Sequence, residues 1–254
     1  MQRTLSFGAR AHSIDEIEKI AHIGFKFAEI DWKNASTICE ERERLLTLQK
    51  RLSVTCLAHG PNEKDRSDAD EITEHMAPRI CRLLDLASEM GIKTYTQHLC
   101  LDARSLSDDV IRRKTEVLKH WSEHAATRGV KFCIENLSEH AHHFAAAFES
   151  IPELSMTLDV GHAELLTEQN TSLGFIERFP ERIHHVHLHD NHGGNSSKSD
   201  LHLPIGWGSI DIFSIIETLM ANAYSGILCF EVPVEHMAES RDRIRGMMAS
   251  IMSS

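Results

Sequence analysis

Nine side chains able to bind a metal or move a proton stand, singly or in pairs, at the ends of short apolar runs. They are His59, His98, Glu135, Asp159, His162, His187, Asp200, His202 and Glu231. Carboxylate oxygens with imidazole nitrogens suit Mn²⁺, Mg²⁺, Co²⁺ or Zn²⁺ and suit thiophilic ions poorly. Four of the nine close successive runs: Glu135 in CIENL, Asp159 in TLDVGH, His187 in HVHLHD and Glu231 in CFEV. A carboxylate ending a buried run needs a charged partner, so four such ends at matching positions predict one shared cation. In RIHHVHLHD, alternation puts His185, His187 and His189 on one face and His184 on the other. His187 is preferred over His185 because it lies nearer the outgoing end of its run. His189 is expected in the following loop, and His184 in the wall or at the surface.

The elements that must position these groups alternate regularly. Strand-like segments are TLSFGA (4–9), FAEIDW (27–32), VTCLAHG (54–60), TYTQHLC (94–100), KFCIENL (131–137), LSMTLDVGH (154–162), RIHHVHLHD (182–190) and GILCFEV (226–232). Between them lie helix-like stretches at 13–24, 35–52, 70–91, 107–129, 142–151, 171–180 and 210–223, and 236–252 closes the chain. Apolar stripes at helical spacing run through Ile14, Ile17 and Ala21 and through Ile111, Val117, Leu118 and Trp121. Ser13, Ser107 and Thr171 are expected N-caps, Ser13 forming a capping box with Glu16. Gly24, Gly91 and Gly129 are expected as left-handed terminators. Eight alternations predict an α/β protein with one closed (β/α)8 barrel spanning residues 1–254. The outgoing strand ends then share one mouth. No GxGxxG follows the first strand, which argues against an open dinucleotide-binding sheet.

Composition narrows the function classes. The formal net charge is −11 with histidine neutral, which argues against nucleic acid as a partner, since such binding needs clustered Lys and Arg. The six cysteines (Cys39, Cys56, Cys81, Cys100, Cys133 and Cys229) show no CxxC or zinc-knuckle spacing and read as reduced, structural thiols. No basic-then-apolar leader opens the sequence, and no run reaches the ~18 apolar residues of a membrane span. A cytoplasmic protein without membrane contact is expected.

Several motifs together resemble the xylose isomerase-like TIM-barrel superfamily of sugar isomerases, sugar epimerases, inosose-type dehydratases and endonuclease IV. They are A-H-G-P (58–61), Q-H (97–98), I-E-N (134–136), L-D-V-G-H (158–162), H-V-H-L-H-D-N (185–191), D-L-H-L-P-I-G-W-G-S-I-D (200–211) and F-E-V (230–232). The resemblance covers essentially the whole chain. It implies Glu135, Asp159, His187 and Glu231 as the metal ligands, with Glu135 and Glu231 also as the acid/base pair. It implies His162 as a substrate contact. By the endonuclease branch, His59, His98, His162, Asp200 and His202 are possible further ligands, giving up to three zincs.

The expected activity is therefore a divalent-metal-dependent isomerase or epimerase of a sugar, sugar phosphate or related polyol. His59, His98, His162, His202 and Trp207 are the expected substrate contacts, Trp207 from its Gly-Trp-Gly turn. Three rivals share the residues: a dehydratase on the same metal, a multi-zinc phosphodiesterase cutting abasic DNA, and a barrel that only binds a sugar or metal. Arg10 and Lys198 are the candidate phosphate clamps, although each is expected first of all to be a solvated charge. Association through the outer helices into a homo-oligomer is also expected.

Overall fold

The apolar runs become eight short parallel strands: β1 (Ser6–Ala11), β2 (Phe27–Asp31), β3 (Thr55–His59), β4 (Thr94–His98), β5 (Lys131–Glu135), β6 (Ser155–Asp159), β7 (Ile183–Leu188) and β8 (Ile227–Phe230). The computed structural model describes residues 5–253, so Thr4, where the first run begins, lies outside the described residues. The strands pair in chain order and β8 closes onto β1. Outside them lie α1 (Ile14–Ile23), α2 (Ala35–Leu52), α3 (Ala77–Glu89), α4 (Asp108–Thr127), α5 (Ala141–Ser150), α6 (Ser172–Arg178), α7 (Ile212–Ala221) and α8 (Val234–Ser253).

The helices hold the barrel through their apolar stripes. Ile17 and Ile20 of α1, Leu83 and Leu84 of α3, Leu118 and Trp121 of α4, and Phe144 of α5 are wholly buried. Each such side chain is worth roughly 1.5–3 kcal/mol of burial. Gly24, Gly91 and Gly129 all carry the expected positive φ. Two caps form differently from expectation. Ser13 makes no side-chain cap; instead Glu16 Oε2 accepts the His12 N–H at 2.7 Å. Thr171 also fails to cap, and Asn170 Oδ1 accepts the Ser172 N–H at 2.9 Å. Ser107 does cap, accepting from Val110 N–H at 3.4 Å. The 70–91 stretch is not one regular helix: Glu71–Met76 is a π-helical turn before α3. Pro78 has no N–H to donate back into that turn, which loosens the ladder there.

Inside the barrel, residues two apart along each strand face inward. Thr96 and His98, Cys133 and Glu135, Thr157 and Asp159, and His185 and His187 make two tiers, the upper one at the mouth. Thr96 Oγ1 meets Thr157 Oγ1 at 2.8 Å across the lower tier. Such a polar filling departs from the branched aliphatics usual in these barrels. The β6–β7 register shifts between Met156 and Thr157, leaving His184 opposite no partner. This bulge corrects the expected placement of His184, whose Nε2 reaches Thr94 Oγ1 of β4 at 3.2 Å.

Beyond β7, Asp190 organises the segment that carries Asp200 and His202. Its buried carboxylate accepts the N–H of Asn191 (2.9 Å), Gly206 (2.8 Å) and Ile210 (3.2 Å), and its backbone pairs with Leu203. Gly208 packs so closely that a Cβ there would lie 2.3 Å from Asp190 Oδ1. Asp190→Ala should lower unfolding free energy by about 2–4 kcal/mol, the cost of orphaning buried donors that face a charged acceptor. Urea titration measures this; a loss below about 0.5 kcal/mol, within ordinary surface effects, would show the loop is held by other means.

Candidate metal centre

The Nδ1 atom of His187 is the hub of the upper tier. Glu135 Oε1 lies 3.0 Å from it, Glu231 Oε1 3.2 Å and Asp159 Oδ2 3.5 Å. The quartet expected from the sequence is thus brought around one point, at the C-terminal mouth of the barrel. A single ring N–H can serve only one of these three acceptors. Asp159 Oδ2 makes no hydrogen bond at all. Two buried carboxylates and a part-buried third crowded on one imidazole nitrogen, with a lone pair left over, are the donor set that a divalent cation satisfies.

The other predicted residues join this hub. His59 Nε2 and His98 Nε2 approach the same oxygen, Glu135 Oε2, at 3.0 and 3.2 Å. His162 Nδ1 lies 3.4 Å from both Glu135 Oε1 and Asp159 Oδ2. On its far side, His162 Nε2 and His202 Nε2 share Asp200 Oδ2 at 3.3 and 3.2 Å. Ligand atoms within 4.8 Å of one another define further groups: His59, Glu135 and His187; His98, Glu135 and His162; and His162, His189, Asp200 and His202. All nine side chains named from the sequence form one contiguous network.

Local sequence explains the placement. Asn136 locks the ends of β5 and β6 together, its amide donating to Asp159 O and accepting from Asp159 N, both at 2.8 Å. Gly161 is required because a Cβ there would lie 2.0 Å from the His189 ring. His189, expected in a loop, does follow β7, yet it is buried, with Nε2 3.1 Å from Asp159 Oδ1 and its ring stacked on His202. His202 holds a left-handed φ of 47°, a strained conformation for a non-glycine residue.

The electrostatics follow from burial set against charge. Burial alone would raise the carboxyls of Glu135 and Asp159, but the imidazoles of His98 and His187 hold Glu135 well below the usual range, and those of His162 and His189 do the same for Asp159. Glu231 is also lowered: burial opposes this, while His187 and Arg10 drive it. Burial pulls His187 down, yet Glu231, Glu29 and Glu135 raise it well above an ordinary histidine. His98 goes the other way, to about 3, because desolvation outweighs the pull of Glu135. The cleft above these groups has a volume of about 340 Å³. His59, His98, His162, Asp200, His202 and Glu231 line its floor, and Asn62, Glu63 and Arg66 form part of its wall.

Two residues are placed otherwise than expected. Arg10 is not a solvated charge: it is buried, with Nη1 2.9 Å from Glu231 Oε1 and Nε 3.1 Å from Asp31 Oδ1. Trp207 does not line the cleft; it is half exposed and its ring packs on His236 at 4.8 Å. Lys198 is exposed, in the short turn Ser197–Ser199. Sequence reasoning missed Glu29, wholly buried in FAEIDW with Oε2 2.6 Å from His187 Nε2. An acid in the middle of an apolar run was the available signal.

The family model described as xylose isomerase-like TIM barrel matches residues 17–251. An uncharacterized protein of Methanocaldococcus jannaschii is 24% identical over 230 residues, covering 85% of this chain and 77% of that protein. A D-tagatose 3-epimerase-like protein superposes with a TM-score of 0.82 at 21% identity, over 98% of this chain and 99% of its own. A xylose isomerase domain protein from Planctomyces limnophilus superposes with a TM-score of 0.83 at 16% identity, over all of both chains. At these identities the structural likeness is one of fold.

Proposed function

This chain belongs to the xylose isomerase-like TIM barrel family, and on that premise we propose that it is a divalent-metal-dependent isomerase or epimerase of a sugar, sugar phosphate or related polyol. The observation that carries the reading is the convergence of Glu135, Asp159 and Glu231 on Nδ1 of His187 beneath an open cleft. The cleft volume lies within the roughly 300–1,000 Å³ of small-molecule sites. The names of the two structural neighbours, a xylose isomerase domain protein and a D-tagatose 3-epimerase-like protein, support the same class.

Glu135, Asp159, His187 and Glu231 would hold the cation, which when bound would supply Lewis-acid polarisation to substrate oxygens. The remaining work falls to the chain itself. Glu231 takes the proton from the carbon beside the carbonyl, and Arg10 keeps its carboxylate ionised and aimed at the cleft. Glu135 returns a proton from the opposite side. Return to the same carbon gives epimerisation, and return to its neighbour gives isomerisation. His59, His98, His162 and His202 hold substrate hydroxyls in register. Among the described residues, no helix is long and apolar enough to cross a membrane.

Incubation with a panel of ketoses and aldoses in deuterated water tests this directly. Deuterium should enter at a carbon adjacent to the carbonyl, and Glu231→Gln should slow its entry about 10²–10⁴-fold. No incorporation into any sugar or sugar phosphate would remove the reading. A second reading, multi-zinc phosphodiester cleavage, is favoured by the paired imidazoles on Glu135 Oε2 and on Asp200 Oδ2. It predicts zinc bound at the His59/His98 and His162/Asp200/His202 groups and cleavage of abasic duplex. The net charge of −11 weighs against a duplex substrate.

A further inference from the structure

Below the mouth, on the Nε2 side of His187, the barrel holds groups that proton transfer leaves idle. Glu29 of β2, His185 and His187 of β7, and Cys229 of β8 place four ligand atoms within 4.8 Å of one another, all wholly buried. His187 and Cys229 are direct partners in the β7–β8 register. Glu29 reaches them across the interior, Oε2 lying 2.6 Å from His187 Nε2 and Oε1 3.6 Å from His185 Nε2. Nevertheless Glu29 Oε1, His187 Nε2 and both ring nitrogens of His185 make no hydrogen bond. The short Glu29–His187 approach is off the ring N–H direction. Buried polar atoms are almost always paired, so orphans clustered at one place require a partner that satisfies them together.

We propose that these four side chains form an interior zinc-type site, distinct from the one at the mouth, with His187 facing it through Nε2. Thiolate, imidazole and carboxylate in a closed four-ligand set is structural zinc chemistry. Zn–ligand lengths of ~2.0–2.3 Å put tetrahedral ligands roughly 3.3–3.8 Å apart, so the His185–Glu29 spacing fits and the Glu29–His187 contact opens on binding. Charge balances as well. The Cys229 thiol loses its proton to solvent as the metal binds, and thiolate plus Glu29 carboxylate then neutralise the dication. Arg10, 3.5 Å from Glu29 Oε2, is already offset by Asp31 and Glu231. His187 offers the Nε2 lone pair to this metal while its proton sits on Nδ1 among the mouth carboxylates; with both sites filled it bridges them as an imidazolate, and that second proton also passes to solvent.

Cobalt provides the test, because a thiolate ligand gives a near-ultraviolet charge-transfer band that oxygen and nitrogen ligands do not. The protein is produced in cobalt-supplemented medium in a Cys81→Ser background, since Cys81 Sγ lies 3.4 Å from His120 Nε2 nearer the surface. The band should be present, and Cys229→Ser should remove it together with about one metal ion per chain. His185→Gln, a variant that keeps the thiol, should speed cobalt loss to a chelator at least tenfold. A parent spectrum without the band, or a band that survives Cys229→Ser, overturns the site. Loss of deuterium exchange alone would leave this band untouched, so the two readings fail separately.

Discussion

Glu135→Gln should lower turnover of the exchanging sugar by about 10³-fold or more and should also reduce bound metal. The change is nearly isosteric, so its effect comes from charge and basicity. Glu135 Oε2 faces His59 and His98, and Oε1 faces His187 and His162. No other side chain in the network touches four imidazoles. An amide carries half the acceptor capacity of a carboxylate and no charge, so it can neither relay a proton nor hold a divalent cation against these partners. Positioned acid–base groups contribute roughly 10²–10⁴-fold by themselves, and loss of a metal ligand adds to that. Rates are compared after reconstitution with excess Mn²⁺, Mg²⁺, Co²⁺ and Zn²⁺ in turn. Turnover within tenfold of the parent under any of them would take Glu135 out of the chemistry.

The contrast between Glu135 and Glu29 shows where the sequence is legible. Glu135 ends an apolar run, and the same holds for His59, His98 and Asp159, each the last residue of its strand. Strand ends in a parallel barrel share one mouth, so residue type plus position was enough to gather them. Glu29 instead lies mid-strand in β2, and its partner His187 is five strands away in chain order. No local pattern encodes that meeting. The burial of Arg10 is illegible for the same reason: its carboxylate partner Glu231 is 221 residues distant, and a lone arginine near a strand end is usually solvated. Helix ends set by glycine were readable, because a positive φ is a property of one residue. The Ser13 and Thr171 caps are not, since the local polar bonds there run through Glu16 to the His12 N–H and through Asn170 to the Ser172 N–H instead. The Gly-Trp-Gly turn by itself points Trp207 at the pocket, whereas the direction of that turn is fixed by Asp190 and Gly208.

Lys114→Met should cost about 3–5 kcal/mol of stability, the usual penalty for stripping one partner from a buried ion pair. Lys114 of α4 is fully buried, with Nζ 2.5 Å from Glu63 Oε1 and 3.1 Å from Cys100 O. Glu63 Oε2 in turn accepts the Cys100 N–H at 2.8 Å, so one pair ties the loops after β3 and β4 beside the cleft wall. Methionine fills similar volume, which leaves the uncompensated Glu63 carboxylate as the main defect. Adding Glu63→Gln should therefore recover most of the loss, because the amide still accepts from Cys100. The sign with pH is fixed as well. Burial raises the Glu63 carboxyl above its ordinary 4.5, while Lys114 pulls it back. A group raised in the folded state contributes stability below its unfolded pKa, and that contribution is lost as pH rises through the folded value. Removing Lys114 raises the folded value further and enlarges that loss. Denaturant titrations should accordingly show a larger penalty at pH 8 than at pH 5. An equal penalty at both would mean that Glu63 is not the charge left stranded.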